Sequence, residues 1–215
     1  MHKDVLRNRT IYYCTYLCNN YHVPRKYQLR RRAERQDETR RRIVDAAIAL
    51  HTTVGPARTT VSAVAQRAGV QRHTVYSHFA DERSLGLACS GRFMRQHPLP
   101  DAAAWRHIAD PGRRLRHALA EVYAYYERHA AQLAPILRDA EVHPLTREMV
   151  EERLSPEMAA MVTVLAEPFR ARGRRAVRVR AMIHLILAIS TWRALAAAMP
   201  REEALEVALR AARAQ

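Results

Sequence analysis

Glycine is scarce, with six residues in 215. So little glycine excludes collagen-like and glycine-rich low-complexity chains. Cysteine is scarcer, limited to Cys14, Cys18 and Cys89. An odd number in a chain this long excludes a disulfide-stapled miniprotein and fits a reducing cytoplasm. Cys14, Cys18 and His22 recur at four-residue steps, yet no fourth ligand stands at zinc-site spacing, so no metal and no cofactor is read here. No run alternates polar and apolar residues as a half-buried strand would, and no internal repeat is present. A secretory signal is not read either: the apolar run "IYYCTYLC" is short, carries hydroxyls and is followed by no small-residue cleavage site. One stretch, residues 181–199, reaches membrane-spanning length, but it contains His184, Ser190, Thr191 and Arg193. A charge at the bilayer midplane is costly, so this stretch reads as a helix buried on most sides within protein, not in a membrane.

Lysine is nearly absent, represented by Lys3 and Lys26, whereas 36 basic residues face 21 acidic ones for a formal net charge of +15. The excess is therefore arginine, whose planar fork suits phosphates and base edges. Residues 1–95 hold 18 Lys/Arg against 7 Asp/Glu, and residues 96–215 hold 18 against 14. A basic half joined to a nearly balanced half points to an anion-binding module on a second module. With 48% hydrophobic residues, general disorder is excluded.

Periodicity supplies the elements, and all of them are helical. Residues 1–33 form a basic extension broken at Pro24; its run over 25–36 can track phosphates or enter a minor groove, or be a solvated tail or a helix extension. From Asp37 a helical pattern begins, with Ile43, Ala46, Ala47 and Leu50 on one face, and Gly55-Pro56 ends it. Thr59 or Thr60 caps a short second helix carrying Val61, Val64, Ala65 and Ala68, stopped by Gly69. A third helix enters near Gln71 with Val75, Tyr76 and Phe79 able to turn inward, and Asp81 caps a fourth. Residues 97–101, "HPLPD", mark a boundary or bend. Asp110-Pro111 opens the next helix, Pro135 and Pro144 are expected to cut it short, Ser155-Pro156 is expected to start another, and one long helix is expected over 174–199 before a last amphipathic one.

Two short helices, a glycine turn and a polar-faced helix make a helix-turn-helix, whose second helix enters the major groove of duplex DNA. The polar residues of "AGVQRHTVYSHF" then have a use: Arg72 can reach guanine, His73 and Thr74 can donate to bases or phosphates, and the Thr74 methyl can touch thymine.

Residues 38–85 resemble the tetracycline-repressor (TetR) family of bacterial transcription regulators. The resemblance rests on "RIVDAAIAL" (42–50), Gly55, "TTVSAVAQRAGVQRHTVYSHF" (59–79) and Leu85, above all on Ala68-Gly69-Val70 followed by Val75-Tyr76 and Phe79. It implies an all-α fold of about nine helices, with a three-helix DNA-binding head and a C-terminal helical bundle for ligand binding and dimerisation. It places Thr60 and Tyr76 at phosphates, Gln71, Arg72, His73, Thr74 and His78 on the recognition surface, and Val70 and Phe79 in the head core. Where the family commonly has a lysine before the fourth helix, this chain has Glu82, and Arg83 is expected to supply that phosphate contact. His51 stands where the family usually has a large aromatic. The division expected is an extension over 1–33, a head over 34–80 and a sensor and dimer domain over 81–215.

In the second half, Trp105, Tyr123, Tyr126, Met158, Met161, His184 and Trp192 are candidates for an apolar ligand pocket, and each also suits a bundle core. Adjacent Tyr125 and Tyr126 are not expected to face inward together. The helix over 174–199 and the last helix are the candidate dimer surface. The resemblance implies a repressor released from a palindromic operator on double-stranded DNA when a small-molecule effector enters the bundle and the fourth helix swings. The alternative is a non-specific or architectural nucleic-acid binder using the arginine-rich half. An enzyme is not expected: the histidines at 107, 117, 129, 143 and 184 are accompanied by no Ser/His/Asp order, phosphate loop or cysteine-nucleophile signature, so no catalytic residue is assigned.

Overall fold

The computed structural model describes residues 25–213, which form nine α-helices, three short 3-10 turns and no strand. The expectations for Cys14, Cys18, His22 and the rest of residues 1–24 lie outside the described residues. The chain divides into a unit ending at Arg42 and a unit from Ile43 onward. Helix α1, Arg25–His51, begins twelve residues earlier than the apolar period marks. Its part up to Arg42 has no apolar stripe. Leucine, glutamine and arginine are good helix formers, and local contacts add to them: Arg30 pairs with Glu34 at 2.9 Å, and the Arg31 guanidinium lies 5.7 Å from the Tyr27 ring centre.

In the second unit, Ile43, Val44, Ala46 and Ala47 of α1 pack with α2 (Val61–Ala68), α3 (Arg72–His78) and α4 (Glu82–Gln96) around a core that includes Val64, Ala65, Val75, Phe79, Leu85 and Cys89. The body consists of α5 (Pro111–Val142), α6 (Pro144–Ala166), α7 (Gly173–Leu187), α8 (Ile189–Ala196) and α9 (Arg201–Arg213). Its core joins Trp105, Leu119, Val122 and Tyr123 to Met161, Leu165, Ile183, Ile186, Leu187 and Leu209. Buried Arg114 ties this core together, donating to the carbonyls of Ile108 (2.7 Å), Val164 (3.0 Å) and Arg106 (3.0 Å).

Four helical expectations are corrected. Helix α5 runs through Pro135, and α6 runs through Pro156. An interior proline forfeits one backbone bond and costs about 3 kcal/mol. The carbonyls released belong to Ala131 and Glu152, both exposed, so water can take them. The helix expected over 174–199 breaks at Ala188, whose backbone is extended (φ −64°, ψ 134°), and α7 and α8 are bent by 56°. In a continuous helix the carbonyls of Ile186 and Leu187 would receive the amides of residues 190 and 191. Here the hydroxyls of Tyr123 and Tyr126 donate to them instead, at 2.9 and 2.8 Å. No single helix among the described residues is long and apolar enough to cross a membrane. Tyr125 and Tyr126 are both buried, because α5 is covered on two sides: Tyr126 reaches the Leu187 carbonyl and Tyr125 donates to the His97 carbonyl at the end of α4, 3.1 Å away.

Candidate nucleic-acid interface and the cavity behind it

The head sequence fixes where α3 begins and which way it faces. Thr60 caps α2, its hydroxyl accepting from the Ala63 amide at 3.2 Å. Gly69 ends α2 in the left-handed region (φ 65°, ψ 40°), a conformation glycine adopts without strain, and the Val70 amide returns to the Ala65 carbonyl at 3.0 Å. This turn launches α3 from Gln71, and Asp81 and Ser84 form a reciprocal capping box that starts α4.

Val75 and Phe79 are buried beneath α3 and hold it to the head. Gln71, Arg72, His73, Tyr76 and Ser77 are exposed, while Thr74 and His78 are half-buried. Tyr76 is 49% exposed although it lies between two core positions, so its ring faces outward and not into the head as the apolar pattern allowed. No carboxylate occurs between Gln71 and Ala80, so an anion approaching this face meets donors and a guanidinium without a like charge. Thr60 is exposed at the N-terminus of α2. Arg83 is placed differently from the rest: its guanidinium is clamped between Glu148 and Glu152 of α6, the latter at 2.9 Å. A phosphate would have to displace these carboxylates to reach it.

Behind the head lies a cavity of about 150 Å³ bounded by α1, α4, α5 and α6. Its wall includes Ile48, Phe93, Met94, Leu133, Ile136, Leu137, Met149, Leu154 and Met158. Of the sequence candidates, Tyr126 and Met158 line it. Trp105, Tyr123 and Met161 are instead buried in the body core, with the Trp105 indole donating to Glu121 at 2.7 Å. His184 is exposed on α7, and Trp192 is half-buried with its ring centre 5.8 Å from that of Tyr126. Sequence reasoning missed the contribution of the last turns of α5, because taking Pro135 as a helix end hid the stripe Leu133, Ile136 and Leu137.

One wall of the cavity is joined to the head by a buried carboxylate. Asp139 accepts from the Ala57 amide at 2.9 Å and from both Nε and Nη2 of Arg138 at 2.9 and 2.7 Å, while Arg138 also donates to the Val54 carbonyl at 2.9 Å. Burial pushes the Asp139 carboxyl up, but the Arg138 and Ala57 hydrogen bonds and the charges of Arg138 and Arg58 outweigh it and hold it below its ordinary value. His51, on the cavity wall, is driven down to about 4 by burial, against the attraction of Asp139, and is therefore neutral at pH 7. Among the described residues no cluster of three or more His, Cys, Asp or Glu is placed to hold a metal ion.

Comparison with known proteins agrees with this geometry. Residues 43–89 match the model for bacterial regulatory proteins of the tetR family. Over 70 residues the chain is 39% identical to the HTH-type transcriptional regulator SrpR of Pseudomonas putida, a match covering 33% of this chain and 32% of SrpR. The chain thus spans about a third of that relative's length. The fold as a whole resembles NalD, the secondary repressor of the MexAB-OprM multidrug efflux pump in Pseudomonas aeruginosa, with a TM-score of 0.58, 22% identity, and coverage of 83% of this chain and 97% of NalD. It also resembles the transcriptional regulator FadR of Bacillus subtilis, solved with stearoyl-CoA, with a TM-score of 0.56, 18% identity, and coverage of 79% and 95%. Residues 43–89 thus carry the sequence pattern of the tetR family of bacterial regulatory proteins, and the described chain has a fold similar to that of NalD.

Proposed function

We propose that this chain is a homodimeric transcription regulator of the bacterial cytoplasm. Its α3 enters the major groove of a palindromic operator, and a small, mostly apolar effector in the cavity releases it. The observation that carries the reading is α3 itself: Gln71, Arg72, His73 and Tyr76 face solvent on a helix pinned by Val75 and Phe79. In this reading Gln71, Arg72, His73, Thr74 and His78 form the recognition surface, Thr60 and Tyr76 contact phosphates, and Arg83 joins them only after leaving Glu148 and Glu152. The head takes residues 34–80 and the sensor 81–215.

Dimerisation through α7, α8 and α9 is supported by Val177, Leu185 and Val207, apolar side chains left exposed on α7 and α9. A two-fold pair presents two recognition helices to half-sites about 34–36 Å apart. Selection of bound sequences from random duplex DNA tests the reading. A two-fold symmetric consensus is expected, and equal affinity for the selected and scrambled duplexes at moderate salt would refute it. The double variant His73→Ala/Thr74→Ala is expected to lose most of the preference between those duplexes and to keep its salt dependence, which arises from phosphate contacts. An unchanged preference would remove α3 from the role of reader.

A further inference from the structure

The cavity wall carries one permanent charge. Arg153 of α6 lines it, no aspartate or glutamate does, and no carboxylate of the described residues lies within ion-pair distance of Arg153. Its hydrogen bonds are long: Nε donates to the Ser90 hydroxyl at 3.3 Å and Nη2 to the Leu87 carbonyl at 3.4 Å. A guanidinium has five donors in a fixed fork, so most of its capacity is uncommitted while the side chain is half-buried beside an apolar wall. The contrast with Arg83, one turn of α6 away through Glu148 and Glu152, is direct: that arginine is compensated twice by carboxylates and Arg153 by none.

Apart from the neutral His51 ring, the other polar groups on the wall are already occupied. Thr52 donates to the Ile48 carbonyl at 2.9 Å, Thr146 is bonded to the His143 ring at 2.7 Å, and the Tyr126 hydroxyl donates to the Leu187 carbonyl. A ligand rich in hydroxyls or amides could pair only with the His51 ring among these groups and would lose most of its hydration without compensation. A cation would face Arg153 across a low-dielectric space, where like charges repel strongly. An uncharged hydrocarbon would fill the wall and leave the guanidinium unpaired. A molecule with an apolar tail and one carboxylate satisfies both parts, because a carboxylate can accept two parallel hydrogen bonds from the fork.

We propose that the cavity binds an amphiphilic carboxylic acid, with its tail against Leu133, Ile136, Leu137 and Met158 and its carboxylate on Arg153. This rests on the reading of the cavity as the effector site and specifies the chemistry that site accepts.

The test uses the full-length protein without DNA, so it separates from operator recognition. The probe is cis-parinaric acid, a fatty acid whose fluorescence rises in an apolar site, titrated beside its methyl ester. The wild-type protein is expected to bind the acid about tenfold more tightly than the ester or better. Arg153→Gln is expected to bring acid and ester to one affinity, and Arg153→Lys, which keeps a charge without the fork, to retain part of the preference. Unchanged far-UV circular dichroism establishes that the variants are folded. Displacement by a series of alkanoates from octanoate to stearate reads the tail length. Equal affinity of the wild type for acid and ester, no binding of the acid, or an acid preference that survives Arg153→Gln would each overturn the proposal. A protein that selects an operator yet shows no acid preference overturns the ligand chemistry alone, and one that prefers the acid yet selects no duplex overturns operator recognition alone.

Discussion

Gly55 is the residue whose replacement tests the joint between head and body most directly. It sits at φ 97°, ψ 154°, a conformation that side chains with a Cβ rarely adopt. A Cβ built there would also overlap the Asp139 carboxylate, meeting Arg138 Nη2 at 2.6 Å and Asp139 Cγ at 2.8 Å. Gly55→Ala therefore carries two separable costs. The backbone strain is of order 1–3 kcal/mol. Displacing Asp139 from the Ala57 amide and Arg138 leaves a buried carboxylate short of partners, about 1–3 kcal/mol more. The expected loss is about 2–6 kcal/mol, or roughly 10 °C in Tm for a chain of this size. Gly173→Ala is the control: its φ is also positive, at 56°, but a Cβ there meets nothing within 4 Å. That variant is expected to lose only about 1–2 kcal/mol. Urea denaturation of a double-mutant cycle isolates the clasp. In an Asp139→Ala background the overlap with the carboxylate is gone and only the end of the flexible Arg138 side chain still meets the Cβ, so Gly55→Ala is expected to cost at least about 1 kcal/mol less than it does in the wild type. Equal costs in the two backgrounds, or a Gly55→Ala variant as stable as Gly173→Ala, would refute the assignment of Asp139 as the group that requires glycine at this turn.

Three further outcomes follow from the same geometry. Tyr126→Phe is expected to destabilise by about 1–3 kcal/mol, since it orphans the buried Leu187 carbonyl, and to speed amide exchange around the Ala188 break; exchange unchanged there would sink the idea that the hydroxyl holds the break. His51 has a folded value near 4 against an ordinary 6.5, so its stabilising contribution is complete above about 6.5 and is lost as pH falls toward 4. His51→Gln is expected to flatten the stability profile between those values by up to about 3 kcal/mol, and equal slopes for variant and wild type would contradict burial as the cause. Asp139, held below its ordinary value, contributes stability above about 4 that fades at lower pH, so Asp139→Asn is expected to be the weaker fold at neutral pH and to show less acid sensitivity there.

The head was readable in the sequence because each of its parts is a local signal. Thr60, Gly69 and Asp81 act within three or four residues of themselves, and the apolar stripe of α2 has one dominant partner surface. The all-helical class was legible for the same reason. The body was not, because its deviations depend on residues distant in the chain. Nothing near Ala188 announces a break; the hydroxyls that donate to the carbonyls it frees come from Tyr123 and Tyr126, more than sixty positions earlier. Pro135 and Pro156 are strong local stop signals, yet tertiary burial on both sides of each outweighs one lost backbone bond. Among the pocket candidates, aromatic and methionine residues at helical spacing cannot be divided by sequence into those that fill the core, as Trp105 and Met161 do, and those that face space, as Met158 does. Arg153 was missed because arginine is so common here that one more carries no signal until its neighbours are known.

The last turns of α5 are where cavity and head share an element. Leu133, Ile136 and Leu137 face the cavity, and Arg138 and Asp139, on the next positions, hold Val54 and Ala57 of the turn that leads into α2. A helix is stiff over two turns, so a ligand that shifts the apolar side of this segment must also shift its polar side or break hydrogen bonds to a buried carboxylate. On the proposed reading this gives the effector a route to the head that does not pass through α4. The route carries a coupling free energy only if the Asp139 joint differs between the DNA-bound and ligand-bound states, since a ligand moves an equilibrium by its differential affinity alone. Asp139→Ala separates the two routes. If α5 carries the coupling, cis-parinaric acid still binds the variant but lowers its affinity for the selected operator far less than it lowers that of the wild type, and an equal decrease in both proteins assigns the coupling to α4.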